Sequence, residues 1–261
     1  MRSETRTGLI PDWLDAWFTR SVTPVIRRLI VARVNPNAIT VAAFTLTLCG
    51  GVFIAFGHLI TACALIVAGG ILDFSDGKVA ALTNRVTVFG GILDSILDRY
   101  ADAAVYVGLT IFFARGGHDA TALAAVLALV GSMATSYVMA VGKAHGYAFR
   151  TGVLRRQDRV TLIAAGLLLS VGHTLLVGWL SVTAEALGLG ITRVATLPLA
   201  PIVWLLALLT NLTAFQRLVA LRRLAQGEQV PGDAGDALRA RQLSALHESI
   251  DRSPAGGGRH G

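Results

Sequence analysis

The chain has 261 residues, 54% of them hydrophobic and only 15% charged, with a mean hydropathy of +0.62 and a formal net charge of +7. That balance excludes an ordinary soluble domain and describes an integral membrane protein. The positive excess reads as a topology signal and an attraction to anionic lipid head groups, with no nucleic-acid partner implied.

Residues 1–37 mix Trp, Asp and Arg without a sustained apolar stretch, so no cleavable signal is expected there. Within them, 13–33 combine apolar residues with Arg around Pro24, the pattern of an amphipathic helix lying in the membrane interface. Apolar runs follow at 38–57, 59–82, 88–114, 120–142, 160–181 and 194–216, each suited to the ~20 residues of a bilayer-spanning helix. The expected fold is therefore all-α: six transmembrane helices plus an N-terminal interfacial amphipathic helix. Lys and Arg cluster before Asn35, around Lys78 and Arg85, from Lys143 to Arg159 and after Arg217, whereas the alternate connections hold little beyond Arg115 and Arg193. Both termini are then cytosolic.

Three regions result: a cytosolic N-terminus over 1–37, a membrane domain over 38–224 and a cytosolic tail over 225–261. The tail is rich in Gly, Gln, Asp and Arg, and has too little apolar area to order itself. No internal repeat at a fixed period is visible, which argues against inverted-repeat transporters. Cys49 and Cys63 stand in separate apolar runs and read as small packing residues.

Four aspartates interrupt this apolar sequence. A carboxylate inside a spanning helix costs ~2.5–3.5 kcal/mol on insertion scales, so a group of them needs specific compensation. Asp73 and Asp76 are i, i+3, while Asp94 and Asp98 are i, i+4, so each pair projects from one face of its helix. A hairpin turning near Arg85 brings the pairs to matching depth near the cytosolic boundary. All-oxygen ligation selects Mg²⁺ or Mn²⁺ over zinc, and a pair of such ions suits a diphosphate. Gly77 and Gly90, locked to the aspartates, are read as places where a ligand approaches the backbone, and Gly69, Gly70 and Gly131 as helix-packing residues.

The run Asp73-x-x-Asp76-Gly77-x-x-Ala80, followed by Gly90-x-x-x-Asp94-x-x-x-Asp98, resembles the signature of the CDP-alcohol phosphatidyltransferases. Asn35-Pro36-Asn37-Ala38-Ile39-Thr40 is similar to the family's segment at the start of the first spanning helix. The resemblance implies transfer of a phosphoalcohol from a CDP-linked donor such as CDP-diacylglycerol to a polar alcohol acceptor, with release of CMP, by a homodimer; the basic clusters and the depth of the hairpin put the site on the cytosolic side of the plasma membrane. The resemblance further implies metal held by Asp73, Asp76, Asp94 and Asp98, with Asp98 as general base on the acceptor hydroxyl. Pro36, Asn37, Gly77, Thr87 and Gly90 fall at donor-binding positions. Where the family has an arginine after Ala80, this chain has Ala81, and Lys78 and Arg85 flank that place on the same helical face.

Gly152-Val153-Leu154-Arg155-Arg156-Gln157-Asp158-Arg159 resembles a stretch of phosphatidylinositol-phosphate synthase-like members, which makes Arg156 a candidate acceptor-binding residue and inositol phosphate or glycerol phosphate the favoured acceptor. Ser136-Tyr137-Val138-Met139-Ala140-Val141 departs from the family by placing Met139 and Val141 where basic residues are usual, and Lys143 is the nearby substitute. Arg99 and Asp102 are expected to pair and orient the site. The alternatives are a cation transporter using its intramembrane aspartates, or a catalytically weak family member.

Overall fold

The structure, a computed structural model, describes residues 12–147, 151–154, 156–186 and 198–227. Among these residues the chain forms seven α-helices and no strands: α1 (Asp12–Val31), α2 (Pro36–Ala55), α3 (Leu59–Leu82), α4 (Val88–Arg115), α5 (Asp119–Ala144), α6 (Arg156–Ala186) and α7 (Leu199–Ala225). The limits follow local chemistry. Asn35 caps α2 by accepting from the Asn37 N–H at 3.0 Å, with Pro36 at the first helical position, and Thr87 caps α4 by accepting from the Gly90 N–H at 3.0 Å. Gly57 and Gly117, with φ of +79° and +73°, make the tight α2–α3 and α4–α5 turns.

Among the described residues, four helices, α2, α3, α5 and α7, are long and apolar enough to cross a membrane. The other two long helices have 28 and 31 residues, but α4 carries Asp94, Asp98, Arg99 and Asp102, and α6 opens on Arg156, Asp158 and Arg159. In α4 these charges stand within the helix body, whereas in α6 they are confined to the first turn, ahead of the apolar run from Val160. α1 runs on through Pro24 and buries Val22 and Ile26 with Ile39 and Val79, so it is seated on the bundle. Residues 1–11, and the tail beyond 227, lie outside the described residues.

α2 lies against both α3 and α4, and α5 against α7; α4–α5, α3–α6 and α6–α7 contacts join the two groups. The main core contains Ile66, Tyr106, Leu109, Phe113, Leu167 and Leu199, each at most 2% exposed. Large apolar side chains such as Val52, Leu123, Leu168, Leu208 and Phe215 stay on the outside, as expected of a surface that meets lipid.

Small residues set the helix crossings. A Cβ on Gly51 would collide with the Ala104 carbonyl and one on Gly108 with the Gly51 carbonyl, so the α2 and α4 backbones touch directly. Gly69 against α2 and Gly131 against α7 are equally tight, as expected of packing glycines. Gly70 differs: a Cβ there would meet only the Val160 side chain, at 3.9 Å, because the residue borders a cavity.

Candidate active site

The turn between α3 and α4 places the aspartates. Thr83 N–H donates to the Val79 carbonyl at 3.0 Å and Arg85 N–H to the Ala80 carbonyl at 2.9 Å, closing α3, and Asn84 adopts a left-handed φ of +54°. The chain then reverses into α4. Carboxylate oxygens of Asp73, Asp94 and Asp98 come within 4.8 Å of one another, all three side chains half-buried. Asp76 stands beside this trio and is 6% exposed. Its Oδ1 accepts from the Gly77 N–H at 2.5 Å, and its Oδ2 is buried without a hydrogen-bond partner. Thr40 lies next to it, but the threonine hydroxyl donates to the Pro36 carbonyl at 3.1 Å.

Across the bundle, α6 supplies the counter-charge. Arg156 Nη1 lies 2.8 Å from Asp73 Oδ2 and Nη2 lies 2.8 Å from Asp98 Oδ1, so one guanidinium joins the two aspartate-bearing helices. One turn on, Arg159 Nη2 donates to Asp102 Oδ2 at 2.7 Å, and the Ser132 hydroxyl of α5 donates to the same oxygen at 2.8 Å. The expected Arg99–Asp102 pair does not form: Arg99 Nη1 donates instead to the Ser95 carbonyl of its own helix. Helical side chains lean toward the N-terminus, so Arg99 points back over the preceding turn and leaves Asp102 to a partner from another helix.

The donor set fits hard cations. Five carboxylates (Asp73, Asp76, Asp94, Asp98 and Asp102) gather about the guanidiniums of Arg156 and Arg159, with Arg99 acting on Asp94 from its own helix, so acidic groups outnumber basic ones in a setting where each charge is costly. The buried, unpartnered Asp76 Oδ2 is an acceptor without a donor. With ligand distances of about 2.0–2.6 Å, an oxygen-liganded divalent ion could lie among the trio.

The residues expected on the donor side also meet. A Cβ on Gly90 would fall 3.0 Å from both Asn37 Oδ1 and Thr87 Oγ1, so the starts of α2 and α4 adjoin there. Pro36 is buried behind them, and a Cβ on Gly77 would meet nothing within 4 Å, leaving that backbone open. Of the two cations flanking Ala81, Lys78 Nζ sits 3.9 Å over the Phe74 ring and Arg85 is exposed in the turn.

On the acceptor side, Lys143 is exposed in the last turn of α5, while Met139 packs against Ala220 of α7. Arg150 and Arg155 lie outside the described residues. The segment before α6 is strapped to α7: Arg217 Nε donates to the Thr151 carbonyl and Nη1 to the Thr135 carbonyl, both at 2.9 Å, and Leu154 N–H donates to the Thr213 hydroxyl at 3.3 Å. Sequence reasoning missed this strap and the Arg159–Asp102 tie. A signal existed for the tie: Arg156 and Arg159 repeat, at i, i+3 and with opposite charge, the stripe that Asp98 and Asp102 form at i, i+4.

Comparison with known proteins gives the family and the fold. The family model for CDP-alcohol phosphatidyltransferase matches residues 33–194. Archaetidylinositol phosphate synthase of Methanothermobacter thermautotrophicus is 37% identical over 148 residues, covering 55% of this chain and 73% of that protein. Phosphatidylinositol phosphate synthase of Corynebacterium glutamicum is 34% identical over 151 residues, covering 56% and 68%. The crystal structure of Mycobacterium tuberculosis phosphatidylinositol phosphate synthase with CDP-DAG bound superposes with a TM-score of 0.62 at 25% identity, covering 77% of this chain and 94% of that one. The manganese and citrate complex of the same enzyme, at 24% identity and a TM-score of 0.60, shares the fold.

Proposed function

Because the chain belongs to the CDP-alcohol phosphatidyltransferase family, we propose that it transfers a phosphatidyl group from CDP-diacylglycerol to the hydroxyl of inositol phosphate or glycerol phosphate, releasing CMP. The carrying observation is the convergence of Asp73, Asp94 and Asp98 within 4.8 Å, bridged by Arg156. Family membership removes the reason for the cation-transporter alternative.

In this reading Asp73, Asp76, Asp94 and Asp98 hold two Mg²⁺ or Mn²⁺ ions. Bound metal supplies neutralisation of the donor diphosphate and of the departing CMP. The chain's own groups do the rest. Asn37, Gly77, Thr87 and Gly90, with Pro36 behind them, cradle the nucleotide. Asp98 takes the proton of the acceptor hydroxyl as that oxygen bonds to the phosphatidyl phosphorus and the bond from phosphorus to the CMP oxygen breaks. Arg156 fixes the Asp98 carboxylate at 2.8 Å, so an acceptor phosphate that engages this guanidinium brings its hydroxyl to the base. Lys143 adds positive charge at the mouth. The basic groups at Lys78, Arg85 and 143–159 support a cytosolic site, six spans counting α4 and α6, and a plasma-membrane setting. A homodimer completes the proposal.

The test is an acceptor screen with purified protein in detergent, comparing inositol phosphate, glycerol phosphate, inositol and serine by CMP release with Mg²⁺ present. CMP release that depends on one of the two phosphorylated acceptors is expected; release only with an unphosphorylated alcohol would overturn the acceptor assignment. For the missing arginine at Ala81, the Lys78→Ala/Arg85→Ala double variant should raise the donor KM about tenfold or more; an unchanged KM would show that neither side chain compensates.

A further inference from the structure

The carboxylates that fit a divalent ion are already engaged by a guanidinium. Arg156 Nη1 lies 2.8 Å from Asp73 Oδ2 and Nη2 lies 2.8 Å from Asp98 Oδ1, and Asp94, the third member of the trio, is within reach of the same charge. Behind them Asp102 Oδ1 stands 3.8 Å from Nε. The other cations nearby have partners of their own: Arg159 pairs with Asp102, Arg99 donates to the Ser95 carbonyl and Lys78 lies over the Phe74 ring. The Arg156 side chain is 30% exposed and that of Arg159 only 6%, so a solute reaches the first and not the second.

Two cations on one set of oxygens oppose each other. Each N–H donated to Asp73 or Asp98 uses a lone pair that a hard ion would take, and the guanidinium charge repels a divalent ion placed among the same carboxylates. An anion that engages Arg156 reverses both effects, because it neutralises the charge and competes for the donated hydrogens. We propose that Arg156 couples two ligands: it holds divalent-ion affinity down until an acceptor phosphate neutralises it, so that metal and phosphorylated acceptor load the site cooperatively. The inference rests on the reading that Arg156 meets the acceptor phosphate and adds a coupling to it. The start of α6 is strapped to α7 through Arg217 and Thr213, which keeps the arginine backbone in place and confines the change to its side chain and charge. Such coupling is reciprocal, so the factor that the phosphate adds to metal affinity is also the factor that the metal adds to phosphate affinity.

The experiment titrates Mn²⁺ by electron paramagnetic resonance into the full chain in detergent, without any CDP-linked donor. Inositol phosphate, glycerol phosphate and unphosphorylated inositol are compared, with Mn²⁺ held by the free compounds subtracted from protein-free titrations. In wild type a phosphorylated acceptor should tighten Mn²⁺ about five- to tenfold, and inositol should not. Arg156→Gln should bind Mn²⁺ about tenfold tighter than wild type without acceptor and gain nothing further with it. Arg156→Lys keeps the charge and should stay near wild type without acceptor. Equal or weaker Mn²⁺ binding by Arg156→Gln would overturn the proposal and leave the arginine a structural tie. An acceptor effect that persists in Arg156→Gln would overturn it too, since the phosphate would then act on the ion directly. Should that variant fail to fold, unchanged Mn²⁺ affinity of the wild type on adding both phosphorylated acceptors decides against the proposal by itself. CMP release from CDP-diacylglycerol is measured in parallel. Cooperative Mn²⁺ binding without CMP release would sustain the coupling and count against phosphatidyl transfer, whereas CMP release with uncoupled Mn²⁺ binding would overturn the coupling and leave transfer standing.

Discussion

Arg159 and Asp102 form an ion pair at 2.7 Å, with side chains 6% and 12% exposed, that ties α6 to α4 inside the bundle. The Ser132 hydroxyl completes the arrangement from α5. Removing one partner of such a buried pair leaves an uncompensated charge. Arg159→Ala and Asp102→Ala should each destabilise the fold by about 3–5 kcal/mol, while the double variant should lose less than the sum of the two. Thermal unfolding of the four proteins in detergent checks this; additive losses would mean that the pair contributes no coupling.

The aspartate trio predicts a link between metal and turnover. Asp73→Asn and Asp94→Asn should each weaken Mn²⁺ binding and lower CMP release by about a hundredfold or more, because neutral amides are poorer ligands and leave less charge to balance the cation. Electron paramagnetic resonance titration of Mn²⁺ reads the first effect independently of activity. Chelation should reversibly abolish the activity of the wild type.

Thr87 has two separable roles to test, capping α4 and contacting the donor. Thr87→Ala should cost about 0.5–2 kcal/mol through the lost cap, whereas Thr87→Asn keeps a capping oxygen. If the hydroxyl also meets the nucleotide, Thr87→Asn should raise the donor KM with little change in melting temperature. An unchanged KM in the asparagine variant would confine Thr87 to the cap.

Gly152 positions the start of α6. Its φ of +124° and the 2.5 Å approach that a Cβ would make to Thr213 Cγ2 leave no room for alanine. Gly152→Ala should loosen the strap held by Arg217, displace Arg156 and raise the acceptor KM severalfold while the donor KM changes little. Equal changes in both would place Arg156 outside acceptor recognition.

The helices and the aspartate hairpin were legible because they depend on short-range periodicity. Apolar runs gave α3 its limits and α4 to within one residue, and the i, i+3 and i, i+4 spacings put Asp73 and Asp98 at equal depth about the turn near Arg85. What crosses the bundle was not legible. Asp102 stood out as a member of the stripe, but three nearby arginines could have partnered it, and side-chain direction decided for Arg159 over Arg99.

The contact between Gly51 and Gly108 couples two regions that would otherwise be independent. With no side chains between them there, and with Gly90 against Asn37 at their starts, α2 and α4 touch at two levels of the bundle. A side chain at either glycine would force the two backbones apart, so a single added methyl group should carry its disturbance along both helices to the Asn37–Gly90 contact.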